Sequence, residues 1–229
     1  MRDRYFVIDY PRLQPSFWLR NPHLQTIATV WTKAPKTKRV AIRRLVPLAD
    51  GDRLIIHDDR AKSWITGDRI AVLIHGLCGS HKSPYIQRIA TKLRRHGIRT
   101  IRVDMRGFGD STLISRGHLH AGRSDDIRDI VQFINHLSPL SKISLLGFSL
   151  GGNILLKYLI EKSRGTSGFR QPEDPVDSAI SVSPPVDLRE CSANLRAFGN
   201  RLYDHYFVGR LSRTPVSYTH LTLPTIYSV

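Results

Sequence analysis

The sequence predicts an α/β protein with a mostly parallel sheet covered by helices on both faces. From residue 69 onward, short apolar runs alternate with longer stretches that carry helical periodicity. The run at 69–77 is almost continuously apolar, as expected of a strand that is buried on both faces of its sheet. Strands separated by helices in this way are joined by right-handed crossovers, so the strands from 69–77 onward are expected to be parallel.

The elements are predicted in chain order from periodicity and from residues that start or stop helices. Residues 39–58 alternate apolar and polar side chains on both sides of "ADGD", which predicts two antiparallel strands joined by a turn. Pro84 in a first turn and Gly97 at the stop delimit a helix at 83–97. Ser124 is the predicted N-cap of a helix at 124–137 that has acidic residues in its first turn. The remaining predictions are strands at 98–105, 142–148 and 178–183 and a helix from about Gly151 to Lys162.

Composition narrows the class of protein. The chain has 229 residues, of which 41% are hydrophobic, and no apolar run approaches the roughly 18 to 20 residues of a membrane span. The N-terminal segment mixes charged and apolar residues, so no secretory signal is predicted and a cytoplasmic location is expected. Cys78 and Cys191 stand far apart without a zinc-ligand spacing, which predicts free thiols, no metal site and no cofactor.

The chain is strongly basic, with 35 Lys and Arg against 19 Asp and Glu and a formal charge of +16. These charges are scattered along the sequence. The densest patch, at 32–44, lacks the interleaved aromatic residues of a groove for single-stranded nucleic acid. We therefore expect a solvated basic surface and no nucleic-acid partner, with at most a weak contact to an anionic membrane surface.

The segment "GFSLGG" places Gly147, Ser149 and Gly151 between a predicted strand and a predicted helix. This context makes a G-x-S-x-G match informative, because a sharp strand-to-helix turn holds the serine in a strained conformation and leaves room only for small neighbours. Ser149 is the predicted nucleophile. At the helix N-terminus, the N–H of Leu150 can point at the oxyanion of a tetrahedral intermediate.

The second oxyanion donor is expected in "HGLCGS", which follows the first buried parallel strand. Leu77 is the candidate, through its backbone N–H, because sites in such sheets lie beyond the carboxyl ends of the strands. His75 is expected to order this loop through hydrogen bonds, and the alternative, a catalytic base, is less favoured. Asp104 and Arg106 are likewise expected to hold a Gly-rich turn in "DMRGFGDS".

Other interpretations of the glycine-rich segments fail on spacing. "GLCGSHKS" has His81 where a phosphate-binding G-x-x-x-x-G-K-[ST] loop requires Gly, and "GFSLGG" has Ser149 where G-x-G-x-x-G requires its second Gly. An ordinary turn with a serine cap would not need small residues on both sides of Ser149. A nucleophile is therefore favoured over a nucleotide site or a plain helix cap.

From about residue 10 to 213 the chain resembles the α/β-hydrolase fold, and more narrowly its YheT-like branch, which is related to the ABHD lipases and esterases. The resemblance implies a serine hydrolase that cleaves small-molecule esters or lipids through a Ser149 acyl-enzyme. A non-catalytic binding protein of the same fold is the alternative. The matching segments are "FWLRNPHLQTI" (17–27), "DGDRLIIHD" (50–58), "LIHGLCGSHKSPYI" (73–86), "RVDMRGFGDS" (102–111), "HAGRSDDI" (120–127), "GFSLGGNILLKYL" (147–159), "SVSPPVDL" (181–188) and "NRLYDHYFV" (200–208).

The same resemblance implies that the catalytic Asp and His follow Ser149 on loops after two later strands. No such strands are predicted here: a lid insertion is expected to start at about 188–213, and Asp187 and His205 are poor candidates for acid and base. Residues 216–225 can be back-translated into a library-preparation adapter, so we expect 1–214 to be a partial hydrolase domain and 215–229 a non-native tail. His220 would then be adapter-encoded, the triad Asp and His would be absent, the sheet would have an open edge, and the fragment would be nearly inactive.

Overall fold

The computed structural model describes residues 14–21, 24–25, 41–166 and 175–212. The chain divides into two compact units, Met1–Lys33 and Ala34–Val229. In the first unit the described residues include a 3-10 turn at Phe17–Leu19, in which the exposed rings of Phe17 and Trp18 meet edge to face with centroids 5.7 Å apart. The expected tail at 215–229, with His220, lies outside the described residues.

The second unit contains a six-stranded, mostly parallel sheet, as predicted. The strands, numbered along the chain, are β1 (Ile42–Pro47), β2 (Arg53–Asp59), β3 (Ile70–Ile74), β4 (Arg99–Asp104), β5 (Ile143–Phe148) and β6 (Val176–Val182). In the sheet they lie side by side in the order β1-β2-β4-β3-β5-β6. β1 pairs with β2, and β2 with β4, in antiparallel register, whereas β4, β3, β5 and β6 are parallel neighbours.

The predicted helices between the parallel strands are confirmed within one or two residues. Gly97 adopts a φ of +80°, the left-handed conformation that ends the first of them. The described part of this unit also contains two further helices and two 3-10 turns. The helices are α1 (Pro84–Arg95), α2 (Ser124–Leu137), α3 (Leu150–Ser163), α4 (Leu188–Arg196) and α5 (Arg201–Leu211), and the turns are Gly109–Leu113 and Phe198–Asn200.

Ser124 is not the N-cap of α2, and that prediction was wrong. The cap position is Arg123, and Ser124 is the first helical residue. The Ser124 hydroxyl instead links two helices. It donates a hydrogen bond to the carboxylate of Glu161 and accepts one from Lys157 Nζ at 2.9 Å. A fully buried serine next to a neighbouring helix finds partners there, which local sequence cannot indicate.

The sheet separates two apolar layers. On one face, α2 and α3 pack side chains such as Ile130, Val131 and Leu155 against the strands. On the other face, Ile86 and Ala90 of α1 pack on Leu73. Burying each aliphatic side chain stabilises the folded state by about 1.5 to 3 kcal/mol. These layers therefore hold the strands in place, and with them the loops that follow the strand ends.

The outer strand β6 is far less covered than β3. Ile180 and Val182 are 55% and 39% exposed, whereas every residue of β3 is buried. Within the described ranges no strand pairs with the outer side of β6, and α4 has no buried residue. The sheet is therefore open at β6. None of the described helices has both the length and the apolar character needed to cross a membrane.

Candidate active site

Ser149 lies in a strained turn between the last residue of β5 and the first residue of α3. Its backbone has φ +50° and ψ −122°, a combination that non-glycine residues rarely adopt. The peptide groups on either side hold this conformation: Ser149 N–H donates to Val182 O at 2.9 Å, and Ser149 O accepts from Asn153 N–H at 3.0 Å. The strain expected of a nucleophile elbow is present.

Gly147 and Gly151 are required by packing. A Cβ atom on Gly151 would lie 2.4 Å from the carbonyl oxygen of His75, and one on Gly147 would lie 2.6 Å from the carbonyl oxygen of Gly151. Gly152 is similarly restricted, since its Cβ would lie 2.6 Å from Ser181 Oγ. Neither Gly147 nor Gly151 has a positive φ, so the close approach of backbone, and not the turn conformation, excludes larger residues.

The Ser149 side chain is exposed at the carboxyl edge of the sheet. In the part of the chain that the structure describes, no side chain forms a hydrogen bond with its hydroxyl. Gly76 lies directly beside it, because a Cβ on Gly76 would be 3.0 Å from Ser149 Cβ and 3.6 Å from Ser149 Oγ. The structure thus brings the loop after β3 against the predicted nucleophile.

The backbone N–H groups next to Ser149 differ in their availability. Gly76 N–H donates to the Tyr85 hydroxyl at 3.0 Å and is therefore occupied. Among the described residues, no acceptor bonds to the N–H of Leu77 or of Leu150, and Leu150 is the first residue of α3, where N–H groups lack intrahelical acceptors. Their role as oxyanion donors stays a prediction.

His75 is fully buried behind this loop and has no free nitrogen. Met105 N–H donates to His75 Nε2 at 3.2 Å, so Nδ1 carries the proton and donates to Gly76 O at 2.7 Å. Burial lowers the pKa of His75, which favours this neutral form. These bonds fit the expected loop-ordering role.

Asp104 and Arg106 hold the loop after β4, as expected. Asp104 accepts hydrogen bonds from the N–H groups of His81 and Asp110, at 2.6 and 2.8 Å. Arg106 is also buried, and its guanidinium donates to the carboxylates of Asp126 and Asp52. Both side chains are 2% exposed or less, and their hydrogen bonds are to other groups of the protein.

Asp187 and His205, the two weak candidates for acid and base, form no hydrogen bond with Ser149. Asp187 is exposed and caps α4, where its carboxylate accepts a hydrogen bond from Glu190 N–H at 2.9 Å. His205 is exposed on α5. The described residues therefore assemble the elbow and the adjoining N–H groups without a base beside the serine.

A cavity of about 610 Å³ lies between the loop after β3, the loop after β4 and α5. Its lining includes Cys78, whose φ is +57° and whose pKa burial raises to about 11, so its thiol is protonated at neutral pH. Ser149 is not part of the lining. The lining residues are Cys78, Gly79, Ser80, Gly107, Phe108, Gly109, Thr112, His205, Tyr206, Gly209 and Arg210.

A second polar cluster was missed by the sequence analysis. It consists of His57, His81, Asp104 and Asp110, whose nitrogen and oxygen atoms converge within 4.8 Å. The four residues come from three separate segments of the chain, since Asp104 and Asp110 both lie in "DMRGFGDS", so no single short motif could have indicated the cluster. Only the order of strands in the sheet, with β2 beside β4, brings them together.

Comparisons with known proteins agree with this architecture. Residues 72–210 match the sequence model of the alpha/beta hydrolase fold family. The chain is 26% identical to YheT of Escherichia coli over 191 residues, covering 83% of this chain and 54% of YheT. It is 29% identical to a monoacylglycerol lipase of Saccharomyces cerevisiae over 135 residues, covering 58% of this chain and 28% of the lipase.

Among solved structures, the esterase Pf2001 of Pyrococcus furiosus superposes with a TM-score of 0.55 at 16% identity, covering 81% of this chain and 70% of the esterase. At this identity the likeness concerns the fold alone. The chain spans about half the length of its bacterial relative and a smaller part of the yeast lipase.

Proposed function

The chain belongs to the α/β hydrolase fold family, among the relatives of YheT and the ABHD proteins, and on this premise we propose that it is a serine hydrolase acting on carboxylic esters. The observation that carries the proposal is the backbone of Ser149. A serine held at φ +50° between a strand and a helix, with glycine packed on both sides and an exposed hydroxyl, is the arrangement of a nucleophile elbow.

In the proposed reaction, Ser149 Oγ attacks the carbonyl carbon of the ester and a base removes the hydroxyl proton. The N–H groups of Leu77 and Leu150 donate to the oxyanion of the tetrahedral intermediate, and the alcohol leaves after accepting a proton. Water then hydrolyses the acyl-enzyme and releases the acid. Because the backbone already fixes both donors, they need not reorganise as negative charge develops on the carbonyl oxygen.

The base and its acid partner are proposed to lie outside the described residues. A serine hydroxyl without an adjacent base is a weak nucleophile, and no described histidine hydrogen-bonds to Ser149. We therefore expect this 229-residue chain to be a poor catalyst. The family resemblance assigns the missing groups to an Asp and then a His that follow Ser149 in the chain.

The proposed substrates are small-molecule or lipid esters. Relatives named as a monoacylglycerol lipase and as phospholipases support this class. The cavity of about 610 Å³ lies within the range of small-molecule sites, roughly 300 to 1,000 Å³, and is lined by both apolar and basic side chains. Its lining includes Cys78, the residue after the proposed oxyanion donor Leu77.

A non-catalytic binding protein of the same fold is the second candidate, favoured by the absence of a base beside Ser149 in the described residues. Hydrolysis of p-nitrophenyl esters of increasing chain length by the full gene product separates the two. We expect Ser149→Ala to lower kcat/KM at least about 1,000-fold, while the exposed control Ser163→Ala retains activity. A folded wild-type protein that binds these esters without turnover would support the binding protein instead.

A further inference from the structure

We propose that Tyr85 is a positioning residue, which holds the loop after β3 against the nucleophile elbow and thereby directs the N–H of Leu77 at the oxyanion. The inference rests on the proposed function and adds to it a residue that acts through Gly76. Tyr85 is the second residue of α1, the helix that follows this loop.

The Tyr85 side chain contacts both halves of the candidate site. Its hydroxyl accepts a hydrogen bond from Gly76 N–H at 3.0 Å. Its ring packs against the ring of Phe148, the residue before Ser149, with centroids 5.1 Å apart and the planes inclined at 59°. The loop after β3 and the end of β5 are therefore joined through Tyr85 as well as through their own backbone contacts.

The hydrogen bond from Gly76 fixes the peptide group between His75 and Gly76. The described residues contain no cis peptide bond, so the N–H and C=O of this group point in opposite directions. The N–H points at Tyr85. The carbonyl oxygen, on the other side, is the atom that a Cβ on Gly151 would approach to 2.4 Å. Tyr85 thus holds the loop from one side while the elbow packs against the other.

The next peptide group, between Gly76 and Leu77, carries the proposed oxyanion donor. Its carbonyl oxygen accepts hydrogen bonds from His75 Nδ1–H at 2.7 Å and from Gly79 N–H at 3.0 Å. The N–H of Leu77 therefore points away from the buried ring of His75. Gly76 is common to both peptide groups, so a rotation about its backbone bonds would redirect this N–H.

Position 76 needs a restraint from outside the loop because only glycine fits there. A Cβ on Gly76 would lie 3.0 Å from Ser149 Cβ and 3.2 Å from Phe148 O. Glycine has more accessible backbone conformations than any other residue. The Tyr85 hydroxyl supplies the restraint. Burial raises the pKa of Tyr85 above its ordinary value, so the neutral hydroxyl is present throughout the pH range of ester hydrolysis.

Tyr85→Phe in the full gene product tests the proposal, because it keeps the ring on Phe148 and removes only the hydroxyl. We expect kcat for p-nitrophenyl esters to fall at least about tenfold with KM within about twofold, since the donor matters most when negative charge develops. The loss should be smaller than the roughly 100- to 1,000-fold that deleting an oxyanion donor causes, because the N–H is displaced and not removed.

Two further measurements separate positioning from a general loss of structure. A trifluoromethyl ketone accepts the serine oxygen and forms a tetrahedral oxyanion, so its affinity should fall by the same factor as kcat. Hydrogen exchange of peptides that cover Gly76 should be about fivefold faster in Tyr85→Phe. The matched control is Tyr158→Phe, which removes a buried phenol hydroxyl in α3 and should leave kcat, ketone affinity and exchange at Gly76 unchanged.

The outcomes distinguish this inference from the proposed function. An active wild type whose kcat and ketone affinity are unchanged by Tyr85→Phe overturns the inference and leaves the proposed function standing. A loss of kcat without a loss of ketone affinity also overturns it, because the oxyanion would not be the cause. A folded wild type that neither hydrolyses esters nor binds the ketone refutes the proposed function, and the positioning role with it.

Discussion

At the scale of single residues, the candidate site depends on backbone atoms that approach one another closely. Ser149 has a positive φ, and hydrogen bonds to β6 and α3 fix its own N–H and C=O. Gly151 sits against the carbonyl of His75, and His75 in turn bonds to Gly76 and Met105. The loop after β3 and the elbow are therefore one packed unit, in which a change at one residue moves the others.

Gly151→Ala tests this packing. Its Cβ would lie 2.4 Å from the His75 carbonyl oxygen, a contact that backbone must move to relieve, so we expect a loss of about 1 to 3 kcal/mol in the free energy of unfolding. The matched control is Gly199→Ala, where a Cβ meets nothing within 4 Å and φ is not positive. Urea denaturation measures both. Equal stability of Gly151→Ala and wild type would contradict the packing described here.

The sequence allowed prediction of residue roles where a local pattern determines them, and failed where long-range contacts do. Gly147, Ser149 and Gly151 follow from one short motif in its strand-to-helix context. Ser124 looked like a helix cap because caps are a local property, yet its hydroxyl is engaged by α3. Histidines and aspartates meet at Asp104 because β2 and β4 are neighbours in the sheet. Hydrophobic periodicity along the sequence does not indicate which strands are neighbours.

At the scale of elements, the antiparallel strands are joined by a buried ion cluster as well as by backbone hydrogen bonds. Asp58 of β2 accepts from Arg99 Nε and Nη2 at 2.8 and 2.7 Å, and from Arg44 Nε of β1 at 2.7 Å. Burial by itself raises the pKa of Asp58, but the hydrogen bonds and charges of Arg99 and Arg44 outweigh it and hold the pKa below its usual value.

Asp58→Asn should therefore destabilise the protein by about 3 to 5 kcal/mol at neutral pH, because it leaves the buried Arg99 without its counter-charge. The pKa of Asp58 is lower in the folded than in the unfolded chain. Its stabilisation is thus present above the unfolded value, about 3.9, and is lost as the pH falls through that value toward the folded pKa.

Urea unfolding of wild type and Asp58→Asn between pH 7 and pH 3 measures this effect, with the difference between them shrinking at the acidic end. Asp177→Asn is the control, since its pair with Arg69 is exposed and such pairs contribute about 0 to 1 kcal/mol. An Asp58→Asn difference that does not change with pH would show that the charge of Asp58 is not the cause.

At the scale of the whole molecule, the centre of the sheet and its edge at β6 differ in how far their side chains are buried. β3 and β4 lie at its centre, whereas β6 exposes Ile180 and Val182. The order of strands and helices along the chain was predictable because apolar periodicity reflects which side chains are buried. The edge at β6 was expected from the resemblance, which implies further strands, and not from periodicity.

Genomic DNA beyond codon 214 tests the proposed origin of residues 215–229. We predict that the native reading frame departs from this sequence near Thr214 and continues into two more strands, with an Asp and then a His in the loops after them. Sequencing an amplicon made without adapters determines this. The same codons for 215–229 in genomic DNA would contradict the proposal.

Labelling with a fluorophosphonate probe tests most directly whether Ser149 is the nucleophile. The probe is applied to the full gene product, and the modified peptide is identified by mass spectrometry. We predict one adduct on Ser149, absent in Ser149→Ala and retained in Ser163→Ala. A folded wild-type protein that hydrolyses esters yet carries no adduct on Ser149, or whose labelling survives Ser149→Ala, would contradict the claim.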